Sequence, residues 1–146
     1  MSTENPQTIR LDRSGNTQLV FEGELVAEQS GFFHKGRECK ETVELFLYRT
    51  KSGRHVARRS YRTTWAGEAE RHDVAVFEKL GEIVPFFREW DPAELQRFGA
   101  GIAAYVREDK PELEKKHAAI FDKLRDIYQY RVAEMFKTLG FEERIE

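Results

Sequence analysis

Residues 42–64, TVELFLYRTKSGRHVARRSYRTT, divide at a glycine into two strands. From 42 to 50 both alternating sets of side chains are apolar, Val43, Leu45 and Leu47 in one set and Phe46 and Tyr48 in the other. A strand that is apolar on both faces belongs in the middle of a sheet, covered from both sides. Lys51-Ser52-Gly53 reads as a short hairpin loop with a left-handed residue at its end, a conformation glycine adopts at little steric cost. Residues 54–64 are then the antiparallel return strand.

On the N-terminal side, residues 8–13 and 17–28 read as strands joined through Ser14-Gly15-Asn16. In the longer one Leu19, Phe21, Leu25 and Ala27 fall on one face, with Gly23 among them, and Gln18, Glu22, Glu24 and Glu28 on the other. That alternation predicts one wet sheet face. Residues 30–40 are compatible with either a continued hairpin through His34-Lys35-Gly36-Arg37 or a loop, because Gly31 and Gly36 both permit positive φ. On the C-terminal side, Trp65-Ala66-Gly67-Glu68 turns into a fifth strand at about 70–77. Residues 8–77 are expected to form a four- to five-stranded antiparallel β-meander, and residues 1–6, polar and ending at Pro6, a frayed tail.

After Phe77 the apolar period lengthens. Leu80, Ile83, Val84 and Phe87 recur at helical spacing, limited to a turn or two by Gly81 and Pro85. Asp91-Pro92-Ala93-Glu94 is a helix start with a capping box, followed by a stripe of Leu95, Phe98, Ile102 and Tyr105 interrupted by Gly99 and Gly101. Pro111 opens one long helix, with Glu112 and Glu114 where the helix dipole favours negative charge. Its stripe runs through Leu113, His117, Phe121, Leu124, Tyr128, Val132, Met135 and Leu139, widened by Ile120, Ile127 and Phe136. Gly140 supplies the stop, with Phe141 placed for the accompanying apolar contact. The expectation is a single α+β domain over 1–146, the meander followed by a helical segment at about 78–140.

A chain that is 40% hydrophobic and 34% charged has the composition of a globular protein. Its longest apolar runs fall far short of a membrane span. The N-terminal MSTENPQT lacks a secretory pattern and Cys39 is the single cysteine, so a cytoplasmic setting is expected. The formal net charge of -2 excludes a wholly basic nucleic-acid binder while leaving local patches open.

One such patch exists. Arg49, Lys51, Arg54, Arg58, Arg59 and Arg62 fall within fourteen residues that hold no acid. On an extended strand Arg54, Arg58 and Arg62 share a face with Val56 and Ser60, while His55, Arg59 and Tyr61 point the other way. Arginines and an aromatic on a strand can follow a phosphate backbone and stack on bases. The competing expectation is cross-strand neutralisation by Glu41, Glu44, Glu70 and Asp73. The long helix offers a second candidate surface, in which Phe121, Leu124, Tyr128 and Met135 pair with a second copy of the chain.

Catalytic and metal chemistry find little footing. His34, His55, His72 and His117 show no ligand spacing, Cys39 has no nucleophile signature, and Glu22 and Glu24 are typical exposed strand acids. Glu108-Asp109-Lys110 lies at a helix junction without an upstream strand acid. Gly99-Ala100-Gly101 does not follow a strand and so is no phosphate loop. No catalytic residue, metal site or cofactor is expected.

Phe21-Glu22-Gly23-Glu24-Leu25, followed by Tyr48-Arg49-Thr50-Lys51-Ser52-Gly53-Arg54, resembles the β-meander half of the bacterial EXLDI proteins, in which an F-x-G-x-L strand precedes a Y-x-T-x-x-G hairpin. The chain departs from them in lacking their N-terminal helix-rich segment and, at 141–146, their E-x-L-D-I string. That family has no assigned function, so the resemblance implies a bacterial or mobile-element setting and a non-catalytic protein, and carries over no site. The functional expectation is a binding or regulatory accessory protein that engages a protein partner or a second copy of itself. The alternatives are a nucleic-acid-binding module using the arginine strand and an enzyme without a recognised motif.

Overall fold

The computed structural model describes residues 7–34, 37–38, 41–64, 70–90 and 111–141, with backbone alone for 33–34, 37–38 and 111–121. The tail at 1–6, Cys39, the turn at 65–68, the helix start at 91–94 with its stripe and glycines, and the string at 108–110 lie outside the described residues.

Five antiparallel strands form one sheet: β1 (Gln7–Leu11), β2 (Leu19–Gln29), β5 (Glu41–Thr50), β6 (His55–Thr63) and β7 (Arg71–Phe77), in the order β1-β2-β5-β6-β7. Between β2 and β5 the chain makes a small separate hairpin, β3 (Phe33–His34) with β4 (Arg37–Glu38), which decides the question at 30–40 in favour of a hairpin that leaves the main sheet. A short 3-10 turn (Leu80–Glu82) leads into α1 (Ile83–Arg88), and α2 (Pro111–Thr138) is the long helix. The fold is the expected α+β meander with a C-terminal helix. No helix among the described residues is long and apolar enough to cross a membrane.

Strand β5 is central because it has an apolar layer to fill on each side. Val43, Leu45 and Leu47 face a core made with Ala57 and Tyr61 of β6, Ile83 and Phe87 of the α1 region, and Leu124, Ile127, Tyr128, Val132, Met135 and Phe136 of α2. On the opposite face Tyr48 joins Leu11 and Val56, packed by Ile9, Leu19, Phe21, Phe46 and Val74. No helix among the described residues covers this second cluster, yet Val56 is only 1% exposed. The sheet itself shields it by curling. At the far edge of β7, Ser14 of the β1–β2 loop donates its N–H to the His72 carbonyl at 2.9 Å, and the His72 N–H donates to Ser14 Oγ at 2.8 Å. The first and last strands are thus drawn together around an inner face, and α2 packs on the outer one.

Strand β2 departs from the simple alternation. Leu25 lies opposite Tyr48 but Ala27 lies opposite Leu47, so Val26 is an extra residue at a β-bulge. Every side chain beyond it changes face. Leu19 and Phe21 pack in the inner cluster, whereas Ala27 packs under α2 in the outer core, so the four apolar residues expected on one face are divided between two. Leu25, next to the bulge, is left exposed.

Helix α2 ends as its sequence indicates. Gly140 has φ 79°, the Phe141 N–H reaches back to the Phe136 carbonyl at 2.9 Å and the Gly140 N–H to that of Lys137 at 3.1 Å, the two bonds of a Schellman stop. The Phe136 and Phe141 rings close it with centroids 5.3 Å apart.

Candidate functional site

The register of β5 with β6 places each arginine of the basic stretch. Phe46 opposes Arg58 and Glu44 opposes Ser60, which puts Arg58 and Arg62 on the inner face, while Leu45 opposes Arg59 and turns that residue to the outer face. This is the division expected from alternation.

Most of these cations already have an acid. Arg49 Nη2 lies 2.7 Å from Glu24 Oε1 and Arg54 Nε 3.0 Å from Glu78 Oε2. Arg62 lies 3.6 Å from Glu44 and 3.3 Å from Glu70. Arg59 Nε lies 3.5 Å from Asp73, its Nη1 donates to the Phe86 carbonyl, and its guanidinium stacks over the Phe86 and Trp90 rings at 4.2 and 5.2 Å. Glu44, Glu70 and Asp73 are acids the sequence points to. Glu24 and Glu78 are not, since their partnership depends on which residues the hairpin and the end of β7 bring opposite. Tyr61 is buried beneath α2 and presents no ring for stacking on a base.

Two cations stand apart. Lys51, exposed at the hairpin tip, has no ion pair among the described residues, and neither has Arg58. Arg58 lies over the Phe46 ring at 4.5 Å, with its Nε buried and without a hydrogen-bond acceptor. Its charge is felt by neighbours on the inner face. Burial holds the His72 pKa below the usual histidine value and Arg58 pushes it further down, against the opposing pull of Glu70 and Asp12. Burial raises the Tyr48 pKa, which Arg58 partly offsets.

The inner face also brings together Ser60, His72 and Glu70. Ser60 Oγ and His72 Nδ1 are 2.8 Å apart, and His72 Nε2 is 3.9 Å from Glu70 Oε1. A nucleophile activated this way has to reach a substrate. Ser60 is fully buried, so the pair instead satisfies a hydroxyl enclosed by the curled sheet. Among the described residues no three of His, Cys, Asp and Glu are grouped to hold a metal ion.

The mouth of the inner face, at the β5–β6 hairpin, is open. A cleft of about 450 Å³ lies there between β2, the hairpin and β7. Leu19, Phe21, Val56 and Val76 supply apolar lining, and Lys51 and Arg54 stand among its polar residues. Val76, 44% exposed, stands in it with Leu19 and Phe21, while Val20, 47% exposed, alternates with those two residues and turns its side chain to the other face of β2. The Lys51 N–H bonds the Glu22 carbonyl at 2.8 Å and ties the hairpin tip to β2. In sequence Val76 reads as an ordinary strand residue; its place beside Leu19 and Phe21 follows from the curl.

The helix candidates have another place. Leu124, Tyr128 and Met135 are buried against the sheet, and Tyr128 Oη donates to the Phe87 carbonyl. The side chain of Phe121 lies outside the described residues.

Comparison with family models, with curated proteins and with solved structures finds no match to this chain in any of the three.

Proposed function

We propose that this protein is a non-catalytic binding protein that docks a protein partner in the mouth of its inner sheet face. The observation that carries this reading is the cleft itself, in which exposed Val76 adjoins Leu19, Phe21 and Val56 of the inner apolar layer beside Lys51, which has no ion pair among the described residues. Exposed apolar side chains gathered at one concave place, with polar groups around them, are the usual form of a recognition surface. The complementary partner is an extended segment that offers apolar side chains to the cleft and a carboxylate to Lys51.

Two alternatives lose support. A phosphate backbone requires a row of available cations, and Arg49, Arg54, Arg59 and Arg62 are each within ion-pair range of a carboxylate. A dimer through the long helix requires apolar surface that Leu124, Tyr128 and Met135 already place against the sheet.

The test compares partners recovered from native cells by the wild type, Val76→Glu and Lys51→Glu, after nuclease treatment and with the fold of each variant checked by circular dichroism. A protein held by the wild type and lost from both folded variants is the expected result. Equal recovery by all three would overturn the assignment of the cleft.

A further inference from the structure

We infer that the junction of the β1–β2 loop, the edge of β7 and α1 is a binding site for a phosphomonoester group. A cleft of about 310 Å³ lies there, lined by Arg13 from the loop, Arg59 from β6 and Arg71 from β7, together with Ser14 and Asn16. Asp73 is the one carboxylate in that lining. It is shared between Arg59 at 3.5 Å and Arg71 at 3.1 Å, so three guanidinium groups face a single negative charge. Asp12, which accepts from the Gln18 amide at 2.8 Å, and Glu70, paired with Arg62 at 3.3 Å, lie outside that lining.

Arg59 Nε is buried with the Asp73 carboxylate 3.5 Å away, so this arginine is held on the lining acid from within the fold.

The arginines are also held in position beforehand. Arg13 Nε donates to the Thr17 carbonyl at 2.7 Å, Arg59 is bonded to the Phe86 carbonyl and stacked on two rings, and Arg71 Nε donates to Asp73. Each is anchored on one side, and the terminal nitrogens of Arg71 and Nη1 of Arg13 have no acceptor among the described residues. Planar forks fixed this way match phosphate oxygens with little ordering left to do on binding. Three guanidinium groups against one carboxylate in the lining suit a dianion, which a phosphomonoester is near neutral pH and a phosphodiester is not. The cleft is separate from the inner-face mouth and does not depend on its assignment.

The experiment is an amide-resolved NMR titration of the whole chain with inorganic phosphate and with glycerol phosphate, against sodium chloride and dimethyl phosphate at matched ionic strength. Saturable shifts at Ser14, Asn16, His72 and Asp73 with both phosphates, absent with the two controls, are expected. Arg71→Gln and Arg13→Gln, at an exposed strand position and in a loop, should keep the spectrum of the folded chain and each weaken binding about tenfold or more. Shifts that do not saturate, that chloride reproduces, or that persist at wild-type affinity in both variants would overturn the site. Binding of dimethyl phosphate as tight as that of the monoester would overturn the assignment to a dianion.

Discussion

Gly23 has no Cβ because another strand stands in the way. It lies opposite Gln7 on one side and Thr50 on the other, and a Cβ there would run into the Arg49 carbonyl and the backbone of Thr50. Backbone atoms of a paired strand cannot step aside as a side-chain tip can. Gly23→Ala is therefore expected to destabilise the chain by about 1–3 kcal/mol in a denaturant titration, unlike the mild effect of alanine in an open strand. His72 makes a prediction of a different kind. Its folded pKa lies below the unfolded value of 6.5, so the unfolded chain binds the proton more readily. The stabilising contribution is present above pH 6.5 and is lost as the pH falls through the lower folded value. Midpoints of denaturation measured from pH 8 to pH 5 should fall further in the wild type than in His72→Asn. The amide of that variant can still meet Ser60, while it takes up no proton.

Among the elements, α2 is tied to the sheet by more than its apolar stripe. Arg131 is 4% exposed and donates to the carbonyls of Val43 at 2.7 Å, Gly31 at 2.8 Å and Ser30 at 3.3 Å. One guanidinium thus links α2 to β5 and to the start of the β2–β5 connection. Replacement by leucine leaves buried carbonyls without donors, and Arg131→Leu is expected to cost about 3–5 kcal/mol, with Arg131→Lys recovering only part of it because an ammonium lacks the planar fork. Tyr128 fixes the same helix against α1 through the Phe87 carbonyl, and burial lifts its pKa well above the ordinary tyrosine value. Tyr128→Phe keeps the ring and removes the donor, for an expected loss of about 1–3 kcal/mol by thermal or chemical denaturation. In β2 the decisive feature is the bulge at Val26, which lets one strand serve the inner cluster with Leu19 and Phe21 and the outer core with Ala27.

For the molecule as a whole, the outer core joins sheet, α1 and α2, so a charge placed in it should be felt everywhere. Leu124→Glu, at a position 2% exposed, is expected to abolish cooperative unfolding and not to convert a folded dimer into a folded monomer, since the cost of about 3–5 kcal/mol or more is a large share of a domain's stability. Sedimentation and near-ultraviolet circular dichroism together separate the two outcomes. The sequence by itself determined the local order: a central strand from its two apolar sets at 43–48, a hairpin at Gly53, a helix stop at Gly140, and the division of Arg58 and Arg62 from Arg59. Each of these depends on residues close together in the chain, where backbone sterics and side-chain period act directly. Only the tertiary structure decided the bulge in β2, the choice of Glu24 and Glu78 as partners for Arg49 and Arg54, the burial of Leu124, Tyr128 and Met135, and the curl that brings Ser14 to His72. It also decided both clefts, because Arg13, Arg59 and Arg71, like Phe21 and Val76, meet only when the ends of the sheet approach one another. Such meetings depend on the twist summed over five strands and on which face the helix covers, and no short stretch of sequence records either.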